Sequence, residues 1–147
     1  MILVDTNILV AVANSRDAHH RSALELLETL PDQLLVPPTV IAEVCYLLSE
    51  RGRATAEVDF LRSSEPGGLD LADLTPADVD CMADLAEQYA DLGLGGTDAS
   101  LVAIAERLGI ERIATLDRRH FGVVRPSHVE AFTLLPDRSS QRPLPAP

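Results

Sequence analysis

The chain has 147 residues, 46% of them hydrophobic, and a formal net charge of −11, which suits one compact domain with a real core and leaves too little length for a second. Its 12 basic residues are all arginine; without lysine there is no P-loop, no Schiff-base amine and no lysine beside a phosphoacceptor aspartate, so those chemistries are excluded. The acidic balance also argues against a general nucleic-acid-coating protein, which would draw on an excess of cations.

In chain order the pattern alternates strand and helix. Residues 2–4 form a short apolar run that predicts a buried strand, 7–14 a short helix, and Ala18 to Leu30 an amphipathic helix that Asp17 is placed to cap. Leu34-Leu35-Val36 predicts a second strand, stopped by Pro37-Pro38, whose fixed φ suits a strand exit and a helix first turn. The next helix carries Val40, Ile41, Val44, Leu47 and Leu48 on one face and ends near Gly52, and another runs from about Ala54 to Leu61. Pro66-Gly67-Gly68 is a turn signal, and Leu69-Asp70-Leu71 a short edge strand. Thr75-Pro76-Ala77-Asp78 opens a helix to about Ala90, with Thr75 as N-cap. A helix from Asp98 to Leu108 stops at Gly109, a strand covers Ile113 to Leu116, and Ala131 to Leu134 is a last, edge strand. Such alternation predicts a mainly parallel sheet covered by helices, an α/β fold over residues 1–135. The Pro-rich segment 136–147 is expected to be disordered.

Cys45 and Cys81 fall inside apolar helical patterns without metal-ligand spacing, so they read as buried free thiols. No basic leader and no membrane-length apolar run is present, the expectation being a cytoplasmic protein.

Four acids stand where strand meets helix or in a helix's first turns. Asp5 follows Ile2-Leu3-Val4, Asp117 follows Ile113-Ala114-Thr115-Leu116, Glu43 follows Pro37-Pro38, and Asp98 follows Gly95-Gly96-Thr97. Parallel strands would bring all four to one sheet edge, where open α/β folds build their sites. Converging carboxylates repel unless something positive sits among them, and a hard divalent cation with oxygen ligands is the usual answer. Each acid also has a structural reading: Asp5 as a helix cap, Asp98 as a first-turn carboxylate after a Thr97 cap, Asp117 as a turn residue. Glu43 is harder to dismiss, because it lies on the flank of an apolar helix face and has no basic residue one turn away. A metal or another polar group would have to supply its partner. Asn7 and Thr97, one or two residues from site acids, are supporting candidates. His19 and His20 are adjacent and point about 100° apart on a helix, so they read as a solvated first turn; His120 and His128 have no mutual helical spacing. The glycines at 93, 95 and 96 make a poor phosphate loop without a lysine.

These motifs resemble those of PIN-domain ribonucleases, and within that family the VapC-type toxins of toxin–antitoxin pairs. The resemblance is carried by Met1-Ile2-Leu3-Val4-Asp5-Thr6-Asn7, by Glu43, by Gly96-Thr97-Asp98-Ala99-Ser100-Leu101, and by Ala114-Thr115-Leu116-Asp117-Arg118-Arg119-His120-Phe121. It implies a three-layer α/β/α sandwich and a Mg²⁺- or Mn²⁺-dependent endoribonuclease, with Asp5, Glu43, Asp98 and Asp117 as catalytic metal ligands. It also implies a homodimer and a cognate antitoxin that blocks the site. Many relatives carry a further acid shortly after the third, where this chain has Ala99, Ser100 and Leu101, so the fourth position rests on Asp117 alone. The low aromatic content of 3% leaves few stacking platforms, favouring a structured RNA such as tRNA or rRNA. Arg118, Arg119 and Arg125 are the candidate phosphate contacts. An antitoxin would bring a basic segment to the acids. Two rivals stand beside this reading. A metal-dependent phosphohydrolase with Asp5 as nucleophile would want an acid where Asn7 stands and a lysine the chain lacks; a non-catalytic module would use the acids to bind a basic partner.

Overall fold

The structure, a computed structural model, describes residues 1–50, 54–63 and 69–137. The expected turn at 66–68, the helix end near Gly52 and the segment 138–147 lie outside them.

Five short strands form one sheet: β1 (Ile2–Val4), β2 (Leu34–Val36), β3 (Asp70–Leu71), β4 (Arg112–Ala114) and β5 (Thr133–Leu135). Their order is β3-β2-β1-β4-β5, and every pairing is parallel. Ile2, Leu3 and Val4 are all fully buried. Side chains alternate across a strand, so helices must cover both faces of β1, which gives the three layers.

The covering helices are α1 (Thr6–Ala13), α2 (His20–Thr29), α3 (Pro38–Glu50), α4 (Ala54–Ser63), α5 (Pro76–Gln88), α6 (Gly96–Leu108) and the single turn α7 (Arg118–Phe121). Helix α1 packs on α2 and α3, α3 on α4 and α6, and α5 on α6. Helix α6 is buried continuously from Ala99 to Ala105, as expected of a central helix that is apolar nearly all round. Its one buried hydroxyl, Ser100, donates to the Thr97 carbonyl at 2.6 Å and meets Thr39 Oγ1 at 2.6 Å. Gly109 ends the helix at φ +66°, the left-handed conformation that glycine adopts without strain.

The elements predicted from sequence are present, with shifted ends. Asp17 does not cap α2 directly: its Oδ1 accepts from His19 N at 2.8 Å and closes the preceding turn, while α2 begins at His20 without a side-chain cap. Helix α5 stops at Gln88, and residues 90–92 tighten into a single 3-10 turn. Strand β4 starts one residue early and its ladder ends at Ala114; β5 is displaced to Thr133–Leu135. Thr75 caps α5 as expected, accepting from Asp78 N while Asp78 accepts from Thr75 N.

The topology positions the site. From β1 the chain winds outward through β2 to β3, then returns through α5 and α6 to place β4 on the other side of β1. The gap beyond the C-terminal ends of β1 and β4 is therefore a topological switch point.

Candidate metal centre

Asp5 leaves β1 directly into this gap. Its backbone N donates to the Ala114 carbonyl at 2.9 Å, which continues the β1–β4 ladder by one bond. Its carboxylate serves two ends. Oδ1 accepts from Thr6 N at 2.7 Å and caps α1; Oδ2 accepts from Thr115 Oγ1 at 2.7 Å and Asn7 Nδ2 at 2.9 Å. The cap role and the site role thus coexist. Asp5 is only 3% exposed, and burial raises its pKa to about 6; repulsion from Asp98 and Asp117 adds to the rise, while the bonds from Thr115 and Thr6 oppose it.

Asn7 joins the two strand exits. Its Nδ2 reaches Asp5 and, at 3.3 Å, Thr115 Oγ1, while its Oδ1 accepts from Leu116 N at 2.9 Å. Thr115 Oγ1 in turn accepts from Asp117 N at 2.9 Å. One amide and one hydroxyl therefore fix Asp5 and Asp117 in mutual register.

Asp117 caps α7, accepting from Arg119 N at 2.9 Å and His120 N at 3.2 Å through Oδ1. Its Oδ2 lies 2.6 Å from His120 Nδ1. Burial alone would push the Asp117 carboxyl up, but the His120 contacts and the Arg119 amide outweigh it and hold the group below its ordinary value. Asp98, in the first turn of α6, has Oδ2 3.3 Å from the same His120 nitrogen. Burial raises its pKa, the neighbouring imidazole lowers it, and the charges of Asp117 and Glu43 raise it again.

Glu43 reaches in from the second turn of α3, and its Oε2 accepts from Thr6 Oγ1 at 2.7 Å. The polar partner its position demands is thus a hydroxyl one residue after Asp5. Thr97 behaves differently from expectation. Because the Gly95 carbonyl already accepts from Ala99 N at 2.9 Å, α6 begins before Thr97, with Gly95 in the N-cap position and no side-chain cap.

Asp5, Asn7, Glu43, Asp98 and Asp117 line one cleft of about 320 Å³, with Asp17 and His19 also on its wall. Among the described residues no arginine lines it. A larger cavity of about 570 Å³ lies between α1, α2 and α4 and is walled mainly by Leu9, Val12, Leu27, Phe60 and Leu69; it holds none of the four acids. Arg118 donates to the Pro136 carbonyl, and Arg125 folds onto the carbonyls of Gly122, Val123 and Val124. Arg119 is exposed, and among the described residues its guanidinium has no acceptor.

The donor set fits a divalent cation. Carboxylate oxygens predominate, the basic side chain that meets them is the His120 imidazole, and one ligand atom each from Asp98, Asp117 and His120 lies within 4.8 Å of the others. His120 is the residue that sequence reasoning passed over. Its signal was local: Asp117 and His120 are three apart on one helical turn, so a capping Asp meets the His ring.

The chain matches the PIN domain family over residues 2–125. Over 135 residues it is 34% identical to Ribonuclease VapC26 of Mycobacterium tuberculosis, an alignment spanning 92% of this chain and 100% of that protein. The crystal structure of VapC20 from Mycobacterium tuberculosis, described as a sarcin-ricin-loop-cleaving toxin, superposes with a TM-score of 0.75 at 21% identity, covering 80% of this chain and 91% of that one. A toxin–antitoxin complex from Klebsiella pneumoniae gives 0.64 at 21% identity, with 84% and 92% covered. VapBC2 of Rickettsia felis, bound to a promoter DNA fragment, gives 0.63 at 20% identity, with 91% and 97% covered. At these identities the solved structures speak for the fold.

Proposed function

The chain belongs to the PIN-domain family, among its VapC-type toxins, and from that premise we propose that it is a divalent-metal-dependent endoribonuclease restrained by a cognate antitoxin. The observation that carries this reading is the convergence of Asp5, Glu43, Asp98 and Asp117 on one cleft that, among the described residues, no arginine lines. We take these four as the metal ligands and Asn7 as the residue that holds Asp5 against the β4 exit. A bound Mg²⁺ or Mn²⁺ would neutralise the carboxylates and supply Lewis acidity toward the scissile phosphodiester.

The chain's own residues then have separable tasks. Asp5 is braced by Thr6 N, Thr115 and Asn7; burial chiefly raises its pKa, a cost that a bound cation would offset. The Thr6 hydroxyl orients Glu43. Arg119, exposed and two residues after Asp117, is the guanidinium best available for substrate phosphates, since Arg118 and Arg125 are already engaged by carbonyls. The substrate we propose is a structured tRNA or rRNA, because few aromatic side chains are present to stack unpaired bases. The antitoxin would insert an Arg- or Lys-bearing segment among the same acids, where its charge could stand in for the metal. A homodimer in the cytoplasm completes the proposal; among the described residues no helix is long and apolar enough to cross a membrane.

A phosphohydrolase mechanism with Asp5 as nucleophile fits less well, since it wants a second acid where Asn7 stands and a lysine the chain lacks. The deciding experiment is cleavage of a folded RNA by purified protein with Mg²⁺, Mn²⁺ or EDTA, beside Asp5→Asn. Cleavage that persists undiminished in EDTA, or in that variant, sinks the proposal.

A further inference from the structure

The four acids do not complete the donor set of the cleft. His120 stands on α7 with its side chain 18% exposed, and its Nδ1 points between Asp117 Oδ2 at 2.6 Å and Asp98 Oδ2 at 3.3 Å. Cis ligands held at 2.0–2.1 Å around an octahedral cation are separated by about 3 Å; the contact to Asp98 is near that spacing, while the one to Asp117 is a hydrogen bond that a cation would replace, opening it by a few tenths of an ångström as the Nδ1 proton leaves. The ring is fixed from behind. Asp117 caps the turn that carries it, Phe121 next to it is 1% exposed, and a Cβ at Gly122 would run into the Arg118 carbonyl, which keeps the turn tight.

Resting on the reading of this cleft as a metal centre, we propose that His120 Nδ1 is a metal ligand together with Asp98 and Asp117, and that it biases the site toward Mn²⁺ over Mg²⁺. Ligation requires the tautomer with the proton on Nε2, leaving the Nδ1 lone pair for the cation. Mg²⁺ prefers an all-oxygen shell and keeps its waters, whereas imidazole is a ligand for first-row transition ions. Of those, Mn²⁺ also favours carboxylates, and the site offers both.

The test is made on the full chain with Mn²⁺ as probe. Electron spin-echo modulation reads a directly bound nitrogen, and calorimetric titration reads Mn²⁺ and Mg²⁺ affinities; neither depends on RNA cleavage. His19 lines the same cleft, so His19→Gln is the control for His120→Gln. Expected are nitrogen modulation in the wild type and in His19→Gln, its loss in His120→Gln, and a fall in Mn²⁺ affinity there of about tenfold or more. Mg²⁺ affinity should change by less than about threefold. If His120→Gln does not fold, the wild type and His19→Gln still decide. Bound Mn²⁺ without nitrogen modulation, or modulation lost in His19→Gln, or retained in a folded His120→Gln, overturns the assignment while the metal reading stands. An equal loss of both affinities in His120→Gln overturns the selectivity. Failure of the wild type to bind Mn²⁺ at all would remove the metal reading itself.

Discussion

Asp5 and Asp78 are both acids almost fully withdrawn from water, 3% and 2% exposed, yet their surroundings treat the charge in opposite ways. Around Asp78 the fold supplies a counter-ion: Arg107 Nε lies 2.9 Å from Oδ1, Thr75 N and Oγ1 each donate at 2.8 Å, and Arg107 Nη2 also ties the Asp73 carbonyl at 2.7 Å. Burial pushes Asp78 up, but these partners outweigh it and hold the carboxyl below its ordinary value. Around Asp5 the fold supplies neutral hydrogen bonds and two more acids, and the pKa rises to about 6. A buried acid with its arginine joins elements of the scaffold, here the α5 start and α6. A buried acid gathered with other acids, and without an arginine, leaves a charge to be met from outside.

The comparison is broken most severely at Asp5. Asp5→Asn should reduce RNA cleavage by more than about a hundredfold, read as initial rates on a folded RNA. The same variant exposes the sign of the linkage in metal-free protein. Below about pH 3 Asp5 is protonated in both the folded and the unfolded chain, and no penalty exists. As pH rises the unfolded chain ionises first, so the fold loses stability until the folded group ionises as well, near 6. The gap between 3.8 and about 6, at about 1.36 kcal/mol per pKa unit, amounts to about 3 kcal/mol. Denaturant titrations in EDTA should therefore show the stability difference, variant minus wild type, climbing by about that much between about pH 3 and pH 7. A flat difference would contradict the raised pKa.

Asp78 should show the reverse. Asp78→Ala removes a cap and leaves Arg107 without its carboxylate, at a cost of about 2–3 kcal/mol at neutral pH. Because the folded pKa is lowered, that stability is fully present above the ordinary carboxyl range and disappears as pH falls through the folded value. Chemical denaturation at pH 7 and in acid checks both statements, and Mn²⁺ affinity of the folded variant should be unchanged.

Asp98→Asn sharpens the contrast within the cleft. It relieves repulsion from Asp117 and Glu43 but gives up the contact with His120, so the net gain in EDTA should be about 1 kcal/mol, or about 3 °C in melting temperature. The further rise on adding divalent metal should shrink, since that rise measures binding to the folded state. A lower melting temperature in EDTA would instead favour a purely structural, first-turn role for this acid.

The smallest effect concerns the arginines. Arg107 is bound to Asp78, whereas Arg119 is exposed without an acceptor among the described residues. Arg119→Ala should leave stability within about 0.5 kcal/mol and reduce the salt dependence of RNA binding by about one counterion. Filter binding across a salt series on a cleavage-dead background provides the measurement, and an unchanged slope would remove Arg119 from the RNA path.

What was legible in the sequence is what local chemistry specifies. The apolar triplets of β1 and β2, the Thr75-to-Asp78 capping box and the Gly109 stop all act within a few residues, and each is found where it was expected. The acids were legible because they interrupt apolar patterns at element ends. The groups that hold them were not. Thr115 meets Asp5 across 110 positions and Thr6 meets Glu43 across 37, and a lone threonine in a sequence carries no sign of which distant carboxylate it will face. The ends of β4 and β5 were misplaced for a related reason: their ladder bonds are set by partners, and apolar character runs beyond the paired residues, to Leu116 after β4 and from Ala131 and Phe132 before β5.

The pairing of β1 with β4 has a consequence in time. Leu3 is in register with Ile113, and the Asp5 carboxylate acquires its Thr115 bond only when residues from the two ends of the domain meet. A ribosome delivers the chain from its amino end at about 5–20 residues per second, so Asp5 and Glu43 are translated seconds before Asp98 and Asp117 exist. A nascent chain halted before Asp98 carries half a cleft and a central strand whose β4 edge has no partner. Whatever harm the finished protein does to RNA, the ribosome that is making it is spared until nearly the whole domain has been read.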